Sequence, residues 1–138
     1  MKRRLLALTI LVGIVATGMA VIRRRESHRR LVAAREEYYK AALQSYTESL
    51  TLGLTRKVVE ANLSGRGVTF RQQCCIREHS AYADLVRVGM EDAPWVCRTS
   101  SVYIALEFAA TYPTVNITAS DADVLKRVAI YRQLEGCL

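Results

Sequence analysis

The sequence LLALTILVGIVATGMAVI, residues 5–22, contains eighteen residues and no charge. A helix of this length is about 27 Å long, close to the thickness of the hydrocarbon core of a bilayer. Basic residues flank the run on both sides, where they would meet lipid headgroups: Lys2, Arg3, Arg4, Arg23, Arg24 and Arg25. The pattern predicts a single-pass transmembrane signal-anchor in residues 1–22, with the lipid bilayer as a partner.

Two other interpretations of this stretch remain open. A basic segment, an apolar segment and small residues up to Ala20 are also typical of a cleavable signal peptide. A buried core helix is the third possibility, although a helix in a small domain seldom lacks a polar face. Because the apolar run continues through Ile22 and arginines follow at once, we expect an uncleaved anchor.

The formal charge of +7 is concentrated at the start of the chain. Residues 1–40 contain ten basic and three acidic residues, whereas residues 41–138 contain ten of each. A nucleic-acid-binding protein would carry the excess on its folded domain. The distribution therefore indicates a membrane surface, and no nucleic-acid partner is expected.

The cysteines bear on the compartment of residues 23–138. They are even in number and all lie in the second half of the chain: Cys74, Cys75, Cys97 and Cys137. This favours two disulfides in an oxidising compartment, with the adjacent cysteines reaching different distant partners and three connectivities possible. Asn62 and Asn116 both lie in glycosylation sequons. Although the basic residues after the apolar run favour a cytoplasmic body, we expect an extracytoplasmic, periplasmic one.

Residues 23–64 are predicted to form one amphipathic helix that continues from the anchor. Apolar residues recur along it at a spacing of three and four, and Gly65 and Gly67 predict where it ends. The spacing drifts from a strict heptad, so we favour packing against the chain's own domain over a long coiled coil. The candidate partner-binding face comprises Tyr39, Tyr46, Leu50, Leu54 and Val58.

Residues 65–138 are predicted to form a small domain of about three helices, at residues 72–88, 93–111 and 121–135. Asp92 would cap the middle helix, which would bury Trp95. Ser120 and Asp123 resemble a capping box at the start of the last helix. The β-prone residues 102–104 weaken the assignment of the middle helix. The predicted fold class is mainly α.

Few residues suggest chemistry. Cys75 and His79 are four apart and would share a helix face, as zinc ligands or a Cys–His nucleophile do, but no second ligand pair or third catalytic residue is evident. The carboxylates, such as Asp84 and Glu107, form no recognisable motif, and we expect them to be solvated. No catalytic residue, cofactor, metal or small-molecule substrate is predicted.

These observations favour a non-enzymatic membrane protein whose helical domain binds another membrane or periplasmic protein. It would be an accessory or assembly subunit of a membrane complex. The alternative is a phage-type lysis protein, of the antiholin or inner-membrane spanin kind, with a disulfide-tied periplasmic domain. That alternative rests on likeness of architecture alone.

Overall fold

A four-stranded antiparallel sheet comes after two helices in the chain. In the computed structural model, residues 2–76, 82–109 and 119–137 are described, and for residues 2–12 and 14–16 this covers the backbone alone. The elements are α1 (Lys2–Ser49), α2 (Arg56–Gly65), β1 (Arg71–Cys74), β2 (Tyr82–Glu91), β3 (Thr99–Ala109) and β4 (Val124–Glu135). The strand order is β1-β2-β3-β4, so each strand pairs with its neighbour in sequence.

The prediction of a mainly α fold is wrong. Each of the three helices predicted after residue 65 covers a region that contains strands: β1 and β2 in the first, β3 in the second and β4 in the third. Residues 102–104, which are β-branched or aromatic, lie in the middle of β3, a strand that is buried along nearly its whole length.

A β-bulge explains why β4 has the spacing of a helix. Leu125 pairs with Phe108 and Arg127 with Glu107, so Lys126 is an extra residue in the ladder. As a result Leu125 and Val128, three residues apart, both contact the same side of the core. Three-residue spacing normally indicates a helix, but here it comes from a strand whose alternation shifts by one residue.

The helix predicted over residues 23–64 is interrupted. α1 ends at Ser49, and α2 begins at Arg56 after a turn in which Gly53 has φ +94°. That conformation is outside the helical region and is one that glycine adopts with little steric cost. α2 ends at Gly65, and Gly67 has φ +68°, so the helix ends where the two glycines predict.

Helices cover one face of the sheet. There Leu50, which follows α1 directly, and Val59 and Leu63 of α2 pack against a buried row of strand residues: Val86, Ile104, Leu106, Phe108 and Leu125. A second buried cluster lies on the opposite face: Ala83, Leu85, Tyr103 and Ala105. All of these residues belong to the unit of residues 39–138; residues 1–38 form a separate unit, a single helical segment.

The structure also contradicts the predicted single-pass membrane anchor. Among the residues whose side chains are described, no helix is long and apolar enough to cross a bilayer. Most of the apolar run, residues 5–12 and 14–16, lies outside the described side chains, as do Lys2, Arg3 and Arg4. Arg23, Arg24 and Arg25 are described and are exposed on α1. It is the finding over the described residues that contradicts the predicted localisation as a single-pass membrane protein.

Candidate functional sites

The first turn of α2 is held against the start of β4 by backbone hydrogen bonds. The amide of Arg56 donates to the Asp123 carbonyl at 2.8 Å, and the amide of Lys57 donates to the Asp121 carbonyl at 3.2 Å. These bonds satisfy amides that a helix leaves unpaired at its N-terminus. Thr55 forms a β-bridge with Val124 just before the helix begins. The Arg56 side chain therefore starts from a fixed point at the edge of the sheet.

Arg56 projects into a buried ionic cluster with Asp84 of β2 and Asp123. Its Nη1 donates to Asp84 Oδ1 at 3.0 Å, and its Nη2 lies 3.8 Å from Asp123 Oδ2. The guanidinium carbon lies 4.3 Å from the centroid of the Phe108 ring and 5.8 Å from that of Tyr82. Each of the three charged residues is at most 2% exposed. The cluster therefore connects α2 to the sheet through ionic contacts that are shielded from solvent.

The cluster contains more carboxylate than guanidinium. Asp84 Oδ2 and Arg56 Nε and Nη2 have no hydrogen-bond partner among the described atoms, and Glu60, one turn further along α2, adds negative charge beside Asp84. Burial raises the pKa of Asp84 to about 7, Arg56 opposes the rise, and Glu60 and Asp123 add to it. A proton on Asp84 turns its repulsion with Glu60 into a hydrogen bond. The cluster is therefore built to hold a proton near neutral pH.

This cluster corrects the expectation that the carboxylates are solvated. Asp84 is fully buried, and Glu107 on the opposite face of the sheet is nearly so. The one signal in the sequence is a lone acidic residue inside the apolar run of residues 83–86. Arg56 and Asp123 carry no comparable signal, because they meet Asp84 only through pairing between distant segments.

Trp95 lies on the connection between β2 and β3 and is 93% exposed. The sequence pattern predicted it on a helix, with its side chain buried in the core. The prediction failed because no helix begins after Asp92: Cys97 donates its backbone amide to the Pro94 carbonyl at 2.9 Å, which closes a turn around Trp95. The Arg98 amide then donates to the Glu135 carbonyl at 3.0 Å. A disulfide joins Cys97 to Cys137 beyond β4. The tryptophan is thus presented on a loop anchored at the end of the sheet.

The cysteine pairing differs from the one expected for the adjacent cysteines. Cys74 and Cys75 are bonded to each other instead of to two distant partners. Cys97 and Cys137, forty residues apart, form the bond that links the start of β3 to the end of β4. His79, the proposed neighbour of Cys75 in a zinc or nucleophile site, lies outside the described residues. Over residues 2–76, 82–109 and 119–137, no group of acidic, cysteine or histidine side chains is arranged to hold a metal ion.

Most of the candidate partner-binding face packs on the chain's own sheet. Tyr39 and Leu50 are buried, and Tyr46 and Leu54 are partly buried against the same core. The ring of Tyr39 lies over Gly89, and its hydroxyl is 3.4 Å from the Met90 carbonyl. The fifth member of the face, Val58, is 50% exposed. The face therefore serves internal packing.

A second polar network lies on the opposite face of the sheet. Glu135 accepts a hydrogen bond from the Tyr103 hydroxyl at 2.9 Å and lies 3.6 Å from Arg71. The guanidinium of Arg71 stacks 4.7 Å from the centroid of the Tyr103 ring and donates to Gln133. The Tyr103 hydroxyl is the main cause that lowers the pKa of Glu135, with the charge of Arg71 as a further one. All of these groups satisfy one another, so the network connects β1, β3 and β4.

Comparison with known proteins identifies no relative. No family model matches the chain, and neither the curated proteins nor the solved structures contain a significant match.

Proposed function

We propose that residues 39–138 form a non-enzymatic binding module and that the loop carrying Trp95 is its contact with a partner protein. The observation that supports this is the near-complete exposure of Trp95 on a loop anchored by a turn, a backbone hydrogen bond and a disulfide. Burying an indole on association contributes more than burying most other side chains, and tryptophan is enriched among the residues that dominate interface energies.

Anchoring favours binding because it reduces the entropy lost on association. A flexible loop must be ordered when it meets its partner, and that ordering weakens the complex. Here the turn from Pro94 to Cys97 and the bond to Cys137 order the loop beforehand. This proposal keeps the protein-binding part of the sequence-based hypothesis and moves the contact from the face between Tyr39 and Val58 to the β2–β3 loop. The lysis-protein alternative depends on the predicted membrane anchor, which the described residues contradict.

A photo-crosslinking side chain in place of Trp95, in the full-length chain expressed in its native host, tests the proposal. The matched control carries the same side chain at Val58, which is half-exposed and lies on α2. We expect a discrete crosslinked protein from position 95 and none from position 58. The absence of a product at position 95, or the same products from both positions, would contradict the proposal.

A Trp95→Phe and Trp95→Ser pair provides a second readout once the partner is identified. Because the side chain is 93% exposed, neither change should alter the free energy of unfolding by more than about 0.5 kcal/mol. Phenylalanine should retain part of the affinity, and serine should lower it by about tenfold or more.

A further inference from the structure

The two cysteine pairs differ in what they connect. The bond between Cys97 and Cys137 joins residues that are forty apart in sequence and lie just before β3 and just after β4. The bond between Cys74 and Cys75 joins neighbours and closes no loop of chain. A disulfide stabilises a fold chiefly by restricting the unfolded chain, and this restriction grows with the length of the loop. Stabilisation of the fold therefore does not explain the Cys74–Cys75 bond.

The backbone at this bond is in an unusual conformation. Cys75 has φ +61° and is the one non-glycine residue with a positive φ among the described residues. A side chain with a Cβ atom adopts this region at a cost in free energy. We expect the bond to Cys74 to restrain Cys75 in this conformation and reduction to release that restraint.

The pair is also placed where a reductant can reach it. Cys74 is the last residue of β1, an edge strand of four residues, and Cys75 comes next and is exposed. Because β2, β3 and β4 pair with one another and not through β1, we expect their pairing to persist when the bond opens. On the neighbouring strand Cys74 pairs with Tyr82, whose ring lies near Arg56 of the ionic cluster, so a change here occurs beside the contact between α2 and the sheet.

We propose that Cys74–Cys75 is a reversible redox site whose co-reactant is a dithiol. A thiolate of the dithiol attacks the exposed Cys75 sulfur, which forms a mixed disulfide and releases the Cys74 thiolate to take up a proton. The second thiol then attacks the sulfur of the reductant in the mixed disulfide, releases the Cys75 thiolate and closes the disulfide of the reductant. Two electrons and two protons pass to the protein, and the dithiol is oxidised.

The test is a titration of the folded, full-length protein with dithiothreitol, followed by alkylation, trypsin digestion and mass spectrometry. Trypsin releases residues 72–77 as one peptide that contains both adjacent cysteines, and the disulfide form is two hydrogens lighter than the dithiol. We expect this peptide to acquire two labels at a dithiothreitol concentration about tenfold or more below that needed for Cys97 and Cys137. In the folded chain those two are held together by strand pairing, which favours their bond.

Two variants separate the pairs. Cys97→Ser/Cys137→Ser retains only the adjacent pair, which should open and close at the same dithiothreitol concentration as in the unaltered chain. Cys74→Ser/Cys75→Ser should retain the other bond and the circular dichroism of the sheet. In the unaltered chain, reduction should shift the backbone amide resonances of residues 74–76 and leave those in the middle of β3 unchanged.

The proposal is overturned if the 72–77 peptide is labelled without reductant, since no bond then exists to be reduced. It is also overturned if either adjacent cysteine is recovered bonded to Cys97 or Cys137. Reduction of both pairs at the same concentration would equally rule out a distinct redox site.

Discussion

Gly89 shows how a single residue fixes the contact between α1 and the sheet. A Cβ atom at this position would lie 2.8 Å from Cε1 and Oη of Tyr39. The ring is buried and rigid, so it cannot move aside without disturbing the packing around it. The glycine therefore allows the aromatic ring to lie directly on the strand.

We expect Gly89→Ala to lower the free energy of unfolding by about 1–3 kcal/mol, because overpacking a filled site displaces its neighbours. Urea denaturation followed by circular dichroism measures the change. Gly65→Ala is the control, since a Cβ there meets nothing within 4 Å. Equal effects of the two substitutions would show that Tyr39 does not lie over Gly89.

Asp84 makes the stability of the fold depend on pH. Its pKa is raised from 3.8 to about 7 by burial, so between these values the folded protein holds a proton that the unfolded chain has released. The stability contributed by protonated Asp84 is complete below about pH 4, falls as the pH rises, and is lost above about pH 7. A shift of this size corresponds to at most about 4 kcal/mol.

Substituting Asp84→Asn should remove this dependence. We expect the free energy of unfolding of the unaltered chain, relative to the variant, to fall between pH 4 and pH 7 and then to level off. Asp121→Asn, an exposed change of the same chemistry, should leave the profile as it is. Parallel profiles for the unaltered chain and Asp84→Asn would contradict the buried, proton-holding cluster.

At the scale of elements, local signals in the sequence were more reliable than the elements assigned from them. The Ser120 amide donates to Asp123 Oδ2 at 3.0 Å, and the Ala122 amide donates to Ser120 Oγ at 3.3 Å. These bonds resemble those of the capping box that the sequence indicated. The next element is nevertheless β4 and not a helix, because pairing with β3 decides the conformation of residues 124–135.

The periodicity of apolar residues predicted helices where β3 and β4 lie, and the reason is again the pairing of the strands. The bulge in β4 gives a strand the spacing of a helix, and β3 is buried on both faces, so it lacks the alternation that marks a half-exposed strand. The β-branched and aromatic residues 102–104 were the better guide. The end of α2 was predictable because glycine conformation is a local property, whereas the meeting of Arg56, Asp84 and Asp123 depends on the completed sheet.

The disulfide between Cys97 and Cys137 is also a link between elements, because it connects the start of β3 to the end of β4. It closes a loop of about forty residues, and a loop of this length is associated with roughly 3–4 kcal/mol of stabilisation through the unfolded chain. We expect Cys97→Ser/Cys137→Ser to lower the free energy of unfolding by about 2–4 kcal/mol in urea denaturation. The loop around Trp95 should become more mobile, and affinity for the partner should fall. A variant as stable as the unaltered chain would show that this bond does not form.

At the scale of the whole molecule, residues 39–138 contain both buried clusters, the ionic cluster and the Trp95 loop. Residues 1–38 form their own unit. The sequence pattern predicted residues 5–22 as the centre of the architecture, whereas the structure has its packed core around the sheet. Residues 39–138 thus combine a scaffold, in which helices and strands satisfy one another, with one exposed tryptophan that the scaffold positions.

Quenching of tryptophan fluorescence by acrylamide in the native protein tests the central claim, an exposed Trp95, most directly. Trp95 is the only tryptophan in the chain, so the signal has a single source. Because the side chain is 93% exposed, we predict nearly the same quenching in the native protein as in the urea-unfolded chain, with the long-wavelength emission of a solvated indole. Strong protection from acrylamide together with short-wavelength emission in the isolated native protein would place Trp95 in a core, as the helical prediction did, and would contradict both the fold of this region and the proposed interface.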